Sequence, residues 1–541
     1  MTPARRIPLL LCSLGLLGSA LRAQCELASL TIASGGFADT MGEELALNGE
    51  WAMLGAPRNA VVGAESGSAY VWGRSGAGWV YETRLDPSDP APHDAFGADL
   101  DIDGVRAAIA AAQPGTDNPF GPPVPAGPGA VYVFELTASG WVEDVRLSPA
   151  SAQPGDRASV VALEGDHLAL GAPRHGTQAF ESGAVFLFER GPAGWSERAP
   201  LLPPDPAPFL RFGEALALAG ERLAVGASGD AGTIGAVYLY ERSGADWVLD
   251  AKLTPGDGAP TDRFGRGLSL AGESLLVSSQ WAASGWNFAG AVYAYERGAS
   301  GWAFTQLLLP NDHQDLMVFG RALDHDGARA VVSARDDDGF GVASGSAYVY
   351  ELESGLWLER AELHSSDMDA FDEFGSSVAL SGAEVLIGAP QDDVSGEQNS
   401  GAGWLFALQG GCLFGDAPAL SLSAGGSQNL GLEAPAWPGR PFLVLGSLSG
   451  SAPGIALDGL VLPLALDAYT LFSLGQPGAP PLSGSPGLLD AQGVGSAAFV
   501  LPPGSNPLLA GAVAHHAGVV LDPALGRVVA ISNALPLALL P

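Results

Sequence analysis

The chain has 541 residues, room for more than one domain, and its 75 glycines and 41 prolines point to many short strands and turns rather than long helices. Its 59 acidic against 25 basic residues leave a net charge of −34 at pH 7, which excludes nucleic acid and anionic membrane surfaces as partners because both would repel it. The charge is uneven: from Leu413 onward there are six acidic and two basic residues, so roughly −30 belongs to the part before it.

Residues 1–23 carry Arg5 and Arg6, an apolar run from Ile7 to Leu17 and small residues ending at Ala23, the pattern of a secretory signal peptide cleaved before Gln24. The run is too short to span a bilayer. Gln24 before Cys25 is too large for a lipid-anchoring signal, so a secreted, extracellular or cell-surface protein with no transmembrane anchor is expected. Cys12 leaves with the signal, and the mature chain keeps an even pair, Cys25 and Cys412, in an oxidising compartment.

From Met41 a unit recurs. Phe-Gly is followed by a hairpin glycine eight residues after the Phe and a Gly-Ala-Pro-like triplet fourteen after it, clearest at Phe212, Gly220 and Gly226-Ala227-Ser228, and at Phe374, Gly382 and Gly388-Ala389-Pro390. The same ruler sets seven starts at Met41, Phe96, Arg157, Phe212, Phe264, Phe319 and Phe374, spaced 52 to 61 residues apart. Each copy adds a Gly-Ala/Ser-x-aromatic segment, at Gly67, Gly129, Gly183, Gly235, Gly290, Gly345 and Gly401. In the first six a Trp lies twelve residues later, from Trp79 to Trp357. Alternation around the hairpin glycine, as in Glu44 to Leu54, reads as two strands joined by a tight turn. With the Gly67-type and Trp79-type segments this makes four antiparallel strands per repeat, one propeller blade.

These Phe-Gly and Gly-Ala-Pro pairs resemble FG-GAP repeats, the unit of the seven-bladed propeller at the N-terminus of integrin α chains. The resemblance covers about 24–412 and implies an all-β, seven-bladed β-propeller. Met41 and Arg157 depart from it in place of Phe, as do Ser278-Ser279-Gln280 and Ser333-Ala334-Arg335 in place of the triplet.

The last copy lacks its Trp strand. Counting forward from Gly401 puts the missing Trp at Leu413, and counting back from Met41 puts the same position at Gln24. The segment Glu26 to Ile32 is therefore expected to complete the seventh blade. That count brings Cys25 and Cys412 about two residues apart across the seam, within reach of a disulfide; two unpaired thiols are the alternative.

Several acidic sets are candidate cation ligands. The resemblance implies calcium loops of the form Asp-x-Asp/Asn-x-Asp-Gly-x-x-Asp, and the best match is Asp99, Asp101 and Asp103 before Gly104. The ninth position is Ala107 and the segment is no longer than a plain hairpin, so it is read, like Asp324 to Gly327, as a turn. Asp336 and Asp338, in Asp336-Asp337-Asp338-Gly339, are further weak candidates on an acidic loop, as are Asp392 and Asp393. Weak, salt-sensitive calcium association is the expectation. Asp also recurs seven residues before the Phe position (Asp89, Asp205, Asp257, Asp312, Asp367) and two before it (Asp39, Asp94, Asp262, Asp372), which reads as turn capping.

No catalytic motif stands out: Gly446 to Gly450 has Leu448 where a nucleophile elbow needs Ser, and His515-His516 lacks metal spacing. From 413 to 541 short apolar runs such as Pro441 to Leu445 and Ala497 to Leu501 predict a small antiparallel β-sandwich of about seven strands. That region is similar to C-terminal β-domains appended to secreted, repeat-bearing bacterial proteins. The expected function is non-enzymatic, a monomeric binding or adhesion platform for an extracellular protein or glycan. An extracellular hydrolase or lyase acting on polysaccharide or lipid headgroups, and a structural surface component, are the alternatives.

Overall fold

The computed structural model describes residues 25–540 except 33–38, 76–77, 116–124, 284–287, 339–341, 366–368, 394–398, 409–411 and short stretches between 416 and 534. The signal segment lies outside the described residues. Between 25 and 407 the strands form seven four-stranded antiparallel sheets, a seven-bladed propeller. Blade 1 shows the pattern: an inner strand Leu45–Leu47, then Trp51–Ala56, Ser68–Ser75 and an outer strand Gly78–Leu85. Blade 2 follows with Phe96–Asp103, Arg106–Ala111, Ala130–Thr137 and Gly140–Leu147.

Blade 7 holds three strands from the end of the repeat region, Val378–Ser381, Glu384–Ala389 and Ala402–Ala407, and takes its fourth from the N-terminus, Cys25–Leu30. The expected closing strand is thus present, with Cys25 opposite Ala407. Leu30 of that strand packs with Leu386 and Leu405 of blade 7 and with Met41, Leu45 and Leu54 of blade 1, so one apolar cluster spans the join.

The Phe-Gly and Gly-Ala-Pro signatures are explained by how blades meet. At six of the seven joins the strand glycine of one blade forms a parallel bridge to the Phe position of the next, as Gly67 to Phe96 and Gly183 to Phe212, and Gly401 bridges Met41 to close the ring. A Cβ on the triplet glycine Gly55 would lie 2.2 Å from the carbonyl of Gly97 in the next blade; at Gly226 and Gly388 the distance is 2.1 Å, to Gly265 and Gly42. Backbone touches backbone there, and only glycine leaves the space. The Phe side chains are fully buried and meet the third-strand aromatics edge-on, Phe96 to Tyr132 at 5.4 Å and Phe212 to Tyr238 at 5.4 Å.

The third copy is out of register by one residue. Gly129 bridges Ala158, not Arg157, so Ala158 holds the Phe position and that copy is one residue shorter up to its hairpin glycine. The backbone agrees: the residue just before the Phe position has φ between 52° and 58° in every blade, at Thr40, Ala95, Arg157, Arg211, Arg263, Val318 and Glu373.

Cys412 does not continue blade 7. It opens a separate strand, Cys412–Gly415, paired to Glu433 in a four-stranded sheet with Gly426–Glu433, Val494–Leu501 and Leu482–Ser483. A second sheet is built around Val513–Asp522 and Pro441–Ser447. Leu430, Leu432 and Phe499 of the first sheet share a core with Phe442, Val444 and Val520 of the second, which is a sandwich. Two features differ from the expectation. Ala419–Ser421 runs parallel to Leu535–Leu540, so the sandwich is not purely antiparallel, and a helix, Ala468–Gly475, is capped by Asp467. His516 is fully buried on its strand and meets the Tyr469 hydroxyl at 3.1 Å, a core position.

Candidate functional site

In each blade the inner strand starts, and the second strand ends, on one face of the ring. The loops between blades and those after the triplet therefore share that face, while the hairpin glycines lie on the other. This loop face holds the candidate groups.

Its loops are pinned from below by the periodic aspartates. The set two before the Phe position accepts the amide three residues back: Ala91 to Asp94 at 2.8 Å, Ala259 to Asp262 at 2.7 Å and Asp369 to Asp372 at 2.7 Å. Asp39 instead accepts from Asn59 Nδ2 at 2.8 Å. The set seven before accepts third-strand tyrosine hydroxyls, Tyr132 to Asp89 at 2.7 Å and Tyr293 to Asp257 at 2.9 Å. The described members of both sets hold loops in place; Asp367 lies outside the described residues.

Asp99, Asp101 and Asp103 lie along the inner strand of blade 2 rather than in its turn. Alternate residues share one face of a strand, so all three reach blade 3, where their Oδ2 atoms accept Val161, Leu163 and Gly165 amides at 2.8, 2.7 and 2.6 Å. Asp324 does the same to Leu380 of blade 7 at 2.8 Å. Inner strands of adjacent blades form no backbone ladder, and these carboxylates satisfy the amides left over. Burial lifts Asp101 to about 6 and Asp324 to about 6.

Of the acidic loop in blade 6, Asp336 pairs with Arg335 at 2.8 Å and Asp338 accepts the Ala343 amide at 2.7 Å. The buried member is Asp337. With Asp312 and Glu362 it forms a group whose carboxylate oxygens lie within 4.8 Å of one another, the arrangement among the described residues that has the donor set for a hard cation. Gln314 donates to Asp337 at 2.6 Å, and Ser346 to both Asp337 at 2.6 Å and Glu362 at 3.1 Å. Repeat spacing could not single out this trio, because its members come from three different strands and loops. Glu362 faces Tyr348 across the sheet, where other blades place a cation: Arg84 opposite Tyr70, Arg146 opposite Tyr132, Lys252 opposite Tyr238. Those cations neutralise loop aspartates, as Arg84 does Asp86 at 2.8 Å.

Burial first, and then Asp312, pushes Glu362 up to about 7 from 4.5. A carboxyl raised on folding supports the fold fully below its unfolded value and loses that contribution as pH rises through about 7. Glu362→Gln is therefore expected to raise the melting temperature at pH 8 by about 1–2 °C and to leave it unchanged at pH 4. Thermal melts across that range check this; an equal shift at both pH values contradicts it.

Asp156, His175 and Thr177 stand in an acid, base, hydroxyl order, with 2.7 Å from Asp156 Oδ2 to His175 Nδ1 and 2.8 Å from His175 Nε2 to Thr177 Oγ1. The same loop position is held by Asn59 and Asp337, each of which, like His175, accepts the strand glycine amide through its backbone carbonyl. The trio thus serves as a loop anchor that the repeat builds with other side chains.

Outside these anchors the loop face exposes large apolar side chains in neighbouring pairs. Phe180 of blade 3 meets Phe209 before blade 4 edge-on at 5.2 Å, and both are more than half exposed. Trp281, Phe288, Leu316 and Val318 line a cleft of about 500 Å³ rimmed by Asp336 and Asp338. The Phe371 amide bonds the Val342 carbonyl at 2.9 Å, and both of those side chains are exposed. Phe209, Leu316 and Phe371 sit at φ 63°, 67° and 74°, a conformation costly for such residues.

At the centre, a cavity of about 480 Å³ is lined from all seven blades, by Glu44, Asp99, Ser159, Glu214, Arg266, Arg321 and Ser377 among others. Burial, together with the neighbouring Glu43, lifts Glu44 to about 7 against the opposing pull of Arg321, and Asp99 beside it is raised well above the usual carboxylate range by burial and by Glu44.

No helix among the described residues is long and apolar enough to cross a membrane. No curated protein matches the chain. Among solved structures, a crystal structure of Sqt1 from Chaetomium thermophilum aligns over 68% of this chain and 83% of its own, at 12% identity and a TM-score of 0.38. Residues 195–240, 247–295, 302–350 and 357–406 match the FG-GAP repeat. Each match begins at an outer-strand Trp and ends on a third-strand aromatic of the next blade, so it spans a blade junction. The Phe positions Met41, Phe96 and Ala158 lie outside those matches. The chain carries four FG-GAP repeats within a β-propeller.

Proposed function

We propose that this is a secreted, non-enzymatic binding protein that takes an extracellular protein or glycan ligand on the loop face of its propeller. The observation that carries this reading is the set of exposed apolar side chains there, several held in a strained backbone conformation: Phe371 beside the buried Asp372, and Phe209 and Leu316 on loops whose Asp205 and Asp312 accept third-strand tyrosine hydroxyls. Exposed aromatics on rigid loops are what binding surfaces use, because they bury much area at little cost in side-chain freedom. Secretion through the N-terminal segment and a Cys25–Cys412 disulfide near the closing strand belong to the same reading. So does weak calcium association driven by the net negative charge.

The test is capture of ligand from a glycan array and from extracellular protein extracts. Phe209→Ser with Phe371→Ser is expected to reduce capture by tenfold or more, on the order of 1 kcal/mol per lost anchor. Val105→Ser, in the hairpin turn on the opposite face and equally exposed, is expected to have no effect. Equal capture by both variants would refute the reading.

A further inference from the structure

We propose that the mouth of the central channel is a binding site for a compact multivalent oxyanion, either free in solution or borne as sulfate on a sugar. The chain is strongly acidic, yet this cavity gathers Arg157, Arg174, Arg211, Arg266 and Arg321 against Glu44, Asp99 and Glu214. Glu214 is engaged by both Arg211 and Arg266. Arg157, Arg174 and Arg321 form no side-chain hydrogen bond or ion pair among the described residues. In a protein with more than two carboxylates for every cation, three guanidiniums at one spot that carboxylates approach, Glu181 near Arg157 and Glu44 near Arg321, without closing an ion pair call for an explanation. Arginine's planar fork suits carboxylate, sulfate and phosphate, and a cavity of this size holds one sulfated sugar.

Three arginines occupy one repeated position. Every blade has a left-handed residue before the Phe position, but three successive blades put arginine there: Arg157, Arg211 and Arg263. Arg263 stacks on Trp281 with its guanidinium carbon 3.7 Å from the ring centre, linking the channel mouth to the apolar cleft. Burial disfavours the charged forms of Arg157 and Arg321; Arg174 adds repulsion at Arg157 and Arg335 and Arg266 at Arg321, set against the attraction of Glu181 and of Glu44 and Glu43 respectively. A bound dianion relieves that repulsion.

The charged groups facing these arginines are Glu43, Glu44, Asp99, Glu181 and Glu214. Glu44 takes up a proton as pH falls through about 7, and Asp99, raised by burial and by Glu44, favours its neutral form in the same direction, so the cavity becomes more positive as pH falls. Sulfate does not titrate in this range, so its affinity is expected to be higher at pH 5.5 than at pH 8.5.

The probes are sodium sulfate and a fully sulfated heparin disaccharide, titrated calorimetrically into the whole protein at low ionic strength. One site with a dissociation constant below about 1 mM is expected. Arg174→Gln and Arg321→Gln should each weaken it about tenfold, while Arg198→Gln, which removes the same charge just after the outer strand Gly194–Glu197 of blade 3, should not. Melting curves establish that each variant is folded; where one is not, Arg157→Lys, which keeps the charge and loses the fork, should weaken binding severalfold. A tighter disaccharide identifies a sugar-borne anion, and equal affinities a free one. No binding of either probe, or equal weakening by Arg198→Gln, overturns the proposal. Sulfate titration is independent of the exposed phenylalanines, so its failure is distinguishable from failure of ligand capture on the loop face.

Discussion

Removal of the N-terminal strand Cys25–Leu30 is expected to abolish cooperative folding of the propeller. Without it the Ala402–Ala407 strand loses its partner along the whole edge, and the apolar cluster joining blades 7 and 1 loses Leu30. A ring differs from a row of sheets in this respect, since every blade relies on both neighbours and an opening at one join exposes two faces. Leu30 alone is 2% exposed, and Leu30→Ala should cost about 2–4 kcal/mol. For the strand deletion, circular dichroism should show no sharp melt, and a synthetic peptide of residues 25–32 added in trans should restore one. A truncated chain that melts within a few degrees of the full one would show that the ring closes by other means.

The second large effect separates two glycines that share a backbone conformation. Gly67 and Gly104 both have positive φ, 82° and 58°, so alanine at either pays the left-handed penalty of about 1–2 kcal/mol. At Gly104 a Cβ meets nothing within 4 Å, whereas at Gly67 it would lie 2.1 Å from the Phe96 carbonyl oxygen and 2.4 Å from its amide nitrogen. Neither atom can move without parting blades 1 and 2. Gly67→Ala is therefore expected to cost at least about 4 kcal/mol, against about 1 kcal/mol for Gly104→Ala. Chemical denaturation of the two variants measures both. Equal costs would mean that the bridge between blades is slack.

The identity of the fold was legible in the chain because a propeller repeats a local rule. Strand, turn and glycine recur at one spacing, and the orphaned segment before Met41 had one place to go, the edge left open by the missing outer strand. The capping role of Asp94, Asp262 and Asp372 was legible for the same reason, since each bonds an amide three residues away. The third copy shows the limit of that local rule. Spacing aligned Arg157 with phenylalanine, and only the bridge from Gly129 reveals Ala158 in that place, because one residue can be dropped from an inner strand without breaking its hairpin.

What the tertiary structure alone decided is sideways, between blades. Asp99, Asp101 and Asp103 looked like an incomplete calcium loop and prove to be brackets to blade 3, because their partners are amides some 60 residues away that no spacing reports. Asp337 rather than Asp336 or Asp338 joins the carboxylate trio, since burial and not sequence selects among three adjacent aspartates. The arginines of the channel are scattered between Arg157 and Arg321, and closing the ring gathers them at one mouth. Sequence determined the blade and how many times it repeats; the convergence of inner strands on a common axis decided which side chains meet, because that contact depends on closure of the whole circle.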